Sequence, residues 1–103
     1  MPYYVYILLC KNGSFYTGHA RNVEQRVKRH KKGRGARYIR IHELERIVYV
    51  EEFESRSEAM KREREIKSFS HRKKQQLAEL YSISQVGVAE EQSEEQVQHA
   101  IES

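Results

Sequence analysis

Three charged or titratable side chains fall where the surrounding pattern asks for apolar ones. Residues 23–32 read as a helix whose inward stripe is Val23, Arg26, Val27 and His30, so an arginine and a histidine stand one turn apart on the packing face. Residues 55–68 read as a second helix with the stripe Ala59, Met60 and Ile66. Glu63 lies inside that stripe, whereas Glu58 and Glu65 point away at about 100° per residue. An unpaired buried charge costs several kcal/mol. Glu63 therefore needs a cation, either a salt-bridging arginine or a metal ion. Arg26 and His30 read either as a polar seam, with the arginine stem laid along apolar surface, or as the wall of a site.

Between these helices, residues 33–44 read as a long basic loop with Tyr38 set among Arg34, Arg37 and Arg40. Guanidinium groups suit a phosphate backbone and an aromatic ring suits bases. The charge distribution agrees. Residues 1–81 hold all 19 Lys and Arg but only 10 of the 15 acidic residues, and the remainder holds five Glu with no Lys or Arg. Such a basic body points to a polyanion partner, against the plainer reading of a solvated face. The chain has no Asp, so any metal chemistry must run on Glu, His and water.

A chain of 103 residues makes one domain with a modest core. Its single cysteine, Cys10, allows no internal disulfide and fits a reducing, cytoplasmic setting as a small core residue. The apolar run 3–10 is too short to span a bilayer and lacks the flanks of a signal peptide.

That run is the element on which the others depend. Val5, Ile7 and Leu9 line one face of a strand, and Tyr4, Tyr6, Leu8 and Cys10 line the other, so the strand should be central and covered on both sides. Asn12-Gly13 signals a hairpin into a second strand, residues 15–18. A two-residue Asn-Gly loop would put Tyr6 and Tyr16 on opposite faces. A three-residue loop, Lys11-Asn12-Gly13 with Gly13 left-handed, pairs Tyr16 with Leu8 and Gly18 with Tyr6 on one face. Asn22-Val23-Glu24-Gln25 and Ser55-Arg56-Ser57-Glu58 are capping boxes, and Gly33 offers a helix stop. Residues 47–53 read as a third strand. Ser70 caps a last helix to Tyr81 that packs through Leu77, Leu80 and Tyr81. Residues 82–103 read as a flexible, disordered acidic tail, with nascent helix near 89–101.

Tyr4-Val5-Tyr6 and Tyr16-Thr17-Gly18 resemble the paired motif of the GIY-YIG nuclease family, in the variant common among its small single-domain bacterial members. Arg26, His30, Tyr38 and Glu63-Arg64-Glu65-Ile66-Lys67 match that family's further positions in order. The resemblance covers most of residues 3–80. It implies an α/β (α+β) fold, a three-stranded antiparallel sheet flanked by three helices in the order β-β-α-β-α-α, with domain 1–81 followed by the tail. It further implies a divalent-metal-dependent endonuclease acting on nucleic acid, DNA in the first place, as a monomer. The metal, one Mg²⁺ or Mn²⁺, falls to Glu63, and the catalytic set to Tyr6, Tyr16, Arg26, His30 and Glu63. Arg34, Arg37, Tyr38, Arg40 and Lys67 fall to nucleic-acid binding. Tyr6 and His30 both qualify as the base. The alternative is a non-catalytic binding module on the same fold. His19-Ala20 stands where relatives often carry an aromatic and Thr, and Ile39 follows Tyr38 where they often have Thr.

Overall fold

The computed structural model describes residues 2–32 and 37–91, with side chains left out at 38–40 and 86–91. Its elements are β1 (Tyr3–Cys10), β2 (Phe15–Ala20), α1 (Val23–Lys31), α2 (Arg37–His42), β3 (Leu44–Phe53), α3 (Arg56–Lys67) and α4 (His71–Glu91). The antiparallel sheet has the order β2-β1-β3, which makes β1 central as its two apolar faces require. The fold is the expected β-β-α-β-α-α arrangement of three strands and three principal helices, to which α2 adds a short turn and a half.

The two faces of β1 feed two cores. Tyr6, Leu8 and Cys10 join Ala20 and Val27, with Tyr16 and Val23 packed alongside, so α1 covers this face. Val5 and Ile7 join Val48, Ala59 and Ile66, and Leu77 and Ala78 close over them, so α3 and α4 cover the other. β1 and β3 slip register twice, between Ile7 and Leu8 and between Leu9 and Cys10, which sharpens the local twist.

The hairpin takes the three-residue loop. Tyr6 pairs with Gly18 and Leu8 with Tyr16, and Gly13 is left-handed at φ 87°. Gly13 donates to the Cys10 carbonyl, Cys10 to the Ser14 carbonyl, and Asn12 Oδ1 accepts from the Ser14 amide at 3.0 Å. Both tyrosines therefore share a face. Asn22 accepts from the Gln25 amide at 2.9 Å, and Ser55 from the Glu58 amide, so the N-cap bond of each expected box forms. Ser70 Oγ likewise accepts from Lys73, opening α4.

Three local expectations need correction. The basic stretch is not loop throughout, since Arg37–His42 is helical, while Gly33 and Arg34 lie outside the described residues. Its arginines and isoleucines are competent helix formers once the glycines are passed. β3 begins at Leu44, three residues early, just after Glu43 turns through φ 52°. Leu80 is 64% exposed, and α4 packs through Leu77, Ala78 and Tyr81 instead, the last with its ring 5.8 Å from that of Tyr49.

α4 also continues to Glu91, ten residues past Tyr81. Ser82 and Gln85 line a cavity of about 540 Å³ with Leu9, Phe15, Val48 and His71. The acidic segment that can be spared therefore starts at residue 92. Deleting residues 92–103 should leave the denaturation midpoint unchanged and tighten DNA binding at low salt, because three Glu leave a basic chain. Deletion from residue 82 should lower the midpoint by stripping that wall. Equal midpoints for the two truncations would refute the boundary.

Candidate active site

The site grows from the face that β1 and β2 share. Register puts Tyr6, Tyr16 and Gly18 together there. Two turns into α1, His30 is 4% exposed and enters the same space. Its Nε2 is 3.5 Å from the Tyr6 hydroxyl, and its ring meets Tyr16 edge-on at 5.8 Å between centroids. His30 Nδ1 is buried without a hydrogen-bond partner among the described residues.

Gly18 is what lets Tyr6 lie flat. A β-carbon there would sit 2.6 Å from the Tyr6 hydroxyl and 2.7 Å from its ring carbon Cζ. Only a residue with no side chain tolerates such an approach. Tyr6 itself is 1% exposed.

Burial first, then the neighbouring Tyr16 and Glu63, push the Tyr6 hydroxyl far above its ordinary pKa, against the pull of Arg26. Burial, helped by Arg26 and Arg29, lowers His30 below its ordinary value of 6.5. At neutral pH both are therefore uncharged, and His30 can accept a proton. A histidine with a depressed folded pKa binds fewer protons folded than unfolded, so its stabilising contribution is full above about 6.5 and lost as pH falls through the lower folded value. Acidification below about 6.5 should lower the denaturation midpoint. His30→Leu should flatten that dependence, and an unaltered slope would assign it elsewhere.

Arg26 corrects its place in the expected inward stripe: it is exposed, at the edge of the face that Val27 and His30 bury, yet its charge reaches both Tyr6 and His30. Glu63 comes from α3 on the opposite layer, where its side chain is 14% exposed. There it accepts from His19 Nδ1 on Oε2 at 2.6 Å and from Lys67 Nζ on Oε1 at 3.0 Å. Burial would raise its pKa, but the hydrogen bonds from His19 and Lys67 win and hold it lowered. Glu65 faces the other way, half exposed and paired with Arg62. The same Arg62 holds Glu51 of β3 at 3.0 Å.

The structure thus brings Tyr6, Tyr16 and His30 into contact and sets Arg26 and Glu63 within electrostatic range of Tyr6. Lys67 is half exposed and its ammonium meets Glu63. Arg37 is exposed at the start of α2, which ends against the hairpin turn through Asn12 and His42, 3.0 Å apart. Tyr38 and Arg40 lie on that helix with side chains outside the description, and Arg34 is outside it altogether. Sequence reasoning missed His19 as the partner of Glu63. Alternation was the available signal, because His19 pairs with Val5 and so faces the α3 layer.

A family model described as the GIY-YIG catalytic domain matches residues 2–76. The chain is 49% identical over 75 residues to a UPF0213 protein of Staphylococcus saprophyticus, covering 73% of this chain and 92% of that one. A UPF0213 protein of Staphylococcus aureus is 45% identical over 75 residues, with the same shares of 73% and 92%. A solution NMR structure of a protein from E. faecalis aligns at 35% identity and TM-score 0.56, over 81% of this chain and 88% of that one.

Proposed function

Since this chain belongs to the GIY-YIG catalytic-domain family, we propose that it is a divalent-metal-dependent endonuclease that hydrolyses phosphodiester bonds in nucleic acid, DNA in the first place. The observation that carries the reading is the buried Tyr6–His30–Tyr16 cluster, with the charges of Arg26 and Glu63 within electrostatic range of Tyr6. Three neighbouring tyrosine and histidine rings are ordinary core packing. A hydroxyl and a neutral imidazole set against one arginine and one carboxylate are the parts of a phosphoryl-transfer site.

The donor chemistry fits one hard cation. Glu63 is an ionised, half-buried carboxylate, and a divalent ion is commonly held by one or two carboxylates with water and substrate phosphates completing the shell. Such an ion, when bound, supplies charge neutralisation at the scissile phosphate and at the leaving oxygen. Arg26 offers a planar two-pronged grip on the phosphate as negative charge develops. Tyr16, half-buried at the mouth of the cluster, positions the phosphate or the water.

The Tyr6 hydroxyl is a poor base alone, because everything near it except Arg26 raises its pKa. Backed by His30, it can relay: water gives a proton to Tyr6 as Tyr6 gives its own to His30 Nε2, and imidazolium is the product. The pair then acts as one base with the proton stored on the cheaper nitrogen. Arg37, Tyr38 and Arg40 of α2, with Arg34 before it, are assigned to the nucleic-acid backbone and bases, and Lys67 to phosphate.

A second reading has its own observation. Both Glu63 oxygens already hold donors, His19 and Lys67, as a purely structural carboxylate would. On that reading the domain binds nucleic acid without cutting it. No described helix is long and apolar enough to cross a membrane. Cys10 is buried as a free thiol, in keeping with the cytoplasmic setting proposed for the chain; a monomer is part of the proposal. Incubation with linear, nicked and branched DNA, with Mg²⁺, Mn²⁺ or EDTA, separates the readings. Metal-dependent cleavage supports the nuclease; EDTA-insensitive binding without product supports the module.

A further inference from the structure

Glu63 carries a feature that one carboxylate holding one ion does not require. Its tightest partner is not the lysine one turn away but an imidazole from a different element. His19 comes from β2 and Glu63 from α3, and their donor atoms are 2.6 Å apart. Their side chains are 25% and 14% exposed, so neither is a loose surface group. By contrast Lys67 is 54% exposed and reaches Oε1 on a long stem.

Resting on the nuclease reading of Glu63, we propose that His19 is the second protein donor of the cation site. The site is then a mixed imidazole–carboxylate pair that takes Mn²⁺, Co²⁺ or Zn²⁺ in preference to Mg²⁺. The geometry supports the exchange. Bonds of about 2.1 Å to a nitrogen and an oxygen, at angles between about 75° and 90°, separate the two donors by roughly 2.6 to 3.0 Å. The observed separation already lies at the short end of that range. A cation can replace the proton between them once the donors part to roughly 3.0 Å for a right-angled pair, or roughly 3.4 Å for a tetrahedral one, and the imidazole turns its lone pair toward the ion. Lys67, exposed and flexible, swings away from Oε1 as the positive ion arrives, and is freed toward phosphate.

The choice of ion follows from the donors. Mg²⁺ demands hard oxygens in near-ideal octahedral array, whereas imidazole favours the later first-row ions. Two protein donors leave at least two positions for water and phosphate oxygen, so the site stays open for catalysis. Among the described residues no group of three or more His, Cys, Asp or Glu could hold a metal, which sets this apart from a closed structural site. The arrangement depends on a histidine at position 19.

The test is spectroscopic and needs no turnover. Pulsed electron paramagnetic resonance on the full chain with one equivalent of Mn²⁺ should show nitrogen modulation from a bound imidazole. The modulation should persist in His30→Gln and vanish in His19→Tyr and His19→Asn, with folding of each variant checked by circular dichroism. Titration should show Mn²⁺ binding about tenfold tighter than Mg²⁺ in the native chain, and His19→Asn should lose most of that margin while Mg²⁺ affinity changes less than about twofold. Binding of Mn²⁺ that needs Glu63 but shows no nitrogen modulation would overturn the proposal, leaving His19 a positioning donor and the nuclease reading intact. Absence of any Glu63-dependent Mn²⁺ binding would overturn both.

Discussion

Glu63→Ala should abolish metal-dependent cleavage, a fall of roughly a hundred- to a thousandfold or more, while Glu65→Ala stays within about twofold of the native rate. The two residues share a helix, a composition and a neighbourhood, and they differ by about 160° around the axis. The structure turns that angle into environment. Glu63 is 14% exposed and holds His19 and Lys67, whereas Glu65 is half exposed and holds Arg62. Only the first lies within electrostatic range of the Tyr6 hydroxyl. Binding to uncleaved DNA in EDTA should survive Glu63→Ala and could strengthen, because a carboxylate beside the phosphate path is gone and Lys67 is released. Initial rates on a labelled duplex and a filter-binding isotherm provide the check. Equal losses in both variants would make Glu63 a salt-bridge partner and nothing more.

Gly18→Ala should damage both stability and activity. The new methyl would lie 2.6 Å from the Tyr6 hydroxyl and 2.7 Å from Cζ, well inside contact distance. Tyr6 is 1% exposed in a core with Leu8, Cys10, Ala20 and Val27, so its ring has nowhere to retreat. Overpacking of this kind costs about 1–3 kcal/mol, visible as a lower denaturation midpoint. Any shift of the ring also breaks the 3.5 Å approach to His30, so activity should fall more than stability does. In a double-mutant cycle Tyr6→Phe removes the oxygen but not Cζ. It should therefore restore part of the stability and none of the activity. A Gly18→Ala protein with native stability and rate would show that Tyr6 does not work from this position.

How much of this could be read from the residues depends on the range of the signal. The hairpin register was legible because it is local: Asn12-Gly13, a left-handed φ of 87°, and side-chain alternation together fix which residues face Tyr6. The two N-caps and the inward place of Glu63 were legible for the same reason. What Glu63 meets was not, since its partner His19 lies 44 positions earlier and depends on how α3 docks against β2. The same holds for α4. Its packing through Ala78 rather than Leu80, and its continuation to Glu91, depend on contacts with residues distant in sequence and on the cavity that Ser82 and Gln85 line. The short helix Arg37–His42 followed two glycines that read as loop, and local propensity after them prevailed. His30 was legible as a face but not as a neutral group, because its lowered pKa comes first from burial.

The order of the strands also says when the site comes into being. β1 and β2 are joined by residues 11–14, so their pairing closes a short loop and hairpins of that kind form in about 1–10 μs. β1 and β3 pair residues as distant as Tyr3 and Phe53, 50 positions apart, and α3 follows β3. The longer loop closes at a greater entropic cost, and α3 docks only after it. Turn variants such as Gly13→Ala should therefore slow folding, while Ile66→Ala in α3 should mainly speed unfolding, and stopped-flow chevrons distinguish the two. On this order the Tyr6–Tyr16 half of the site should be made early, and the half that Glu63 brings last.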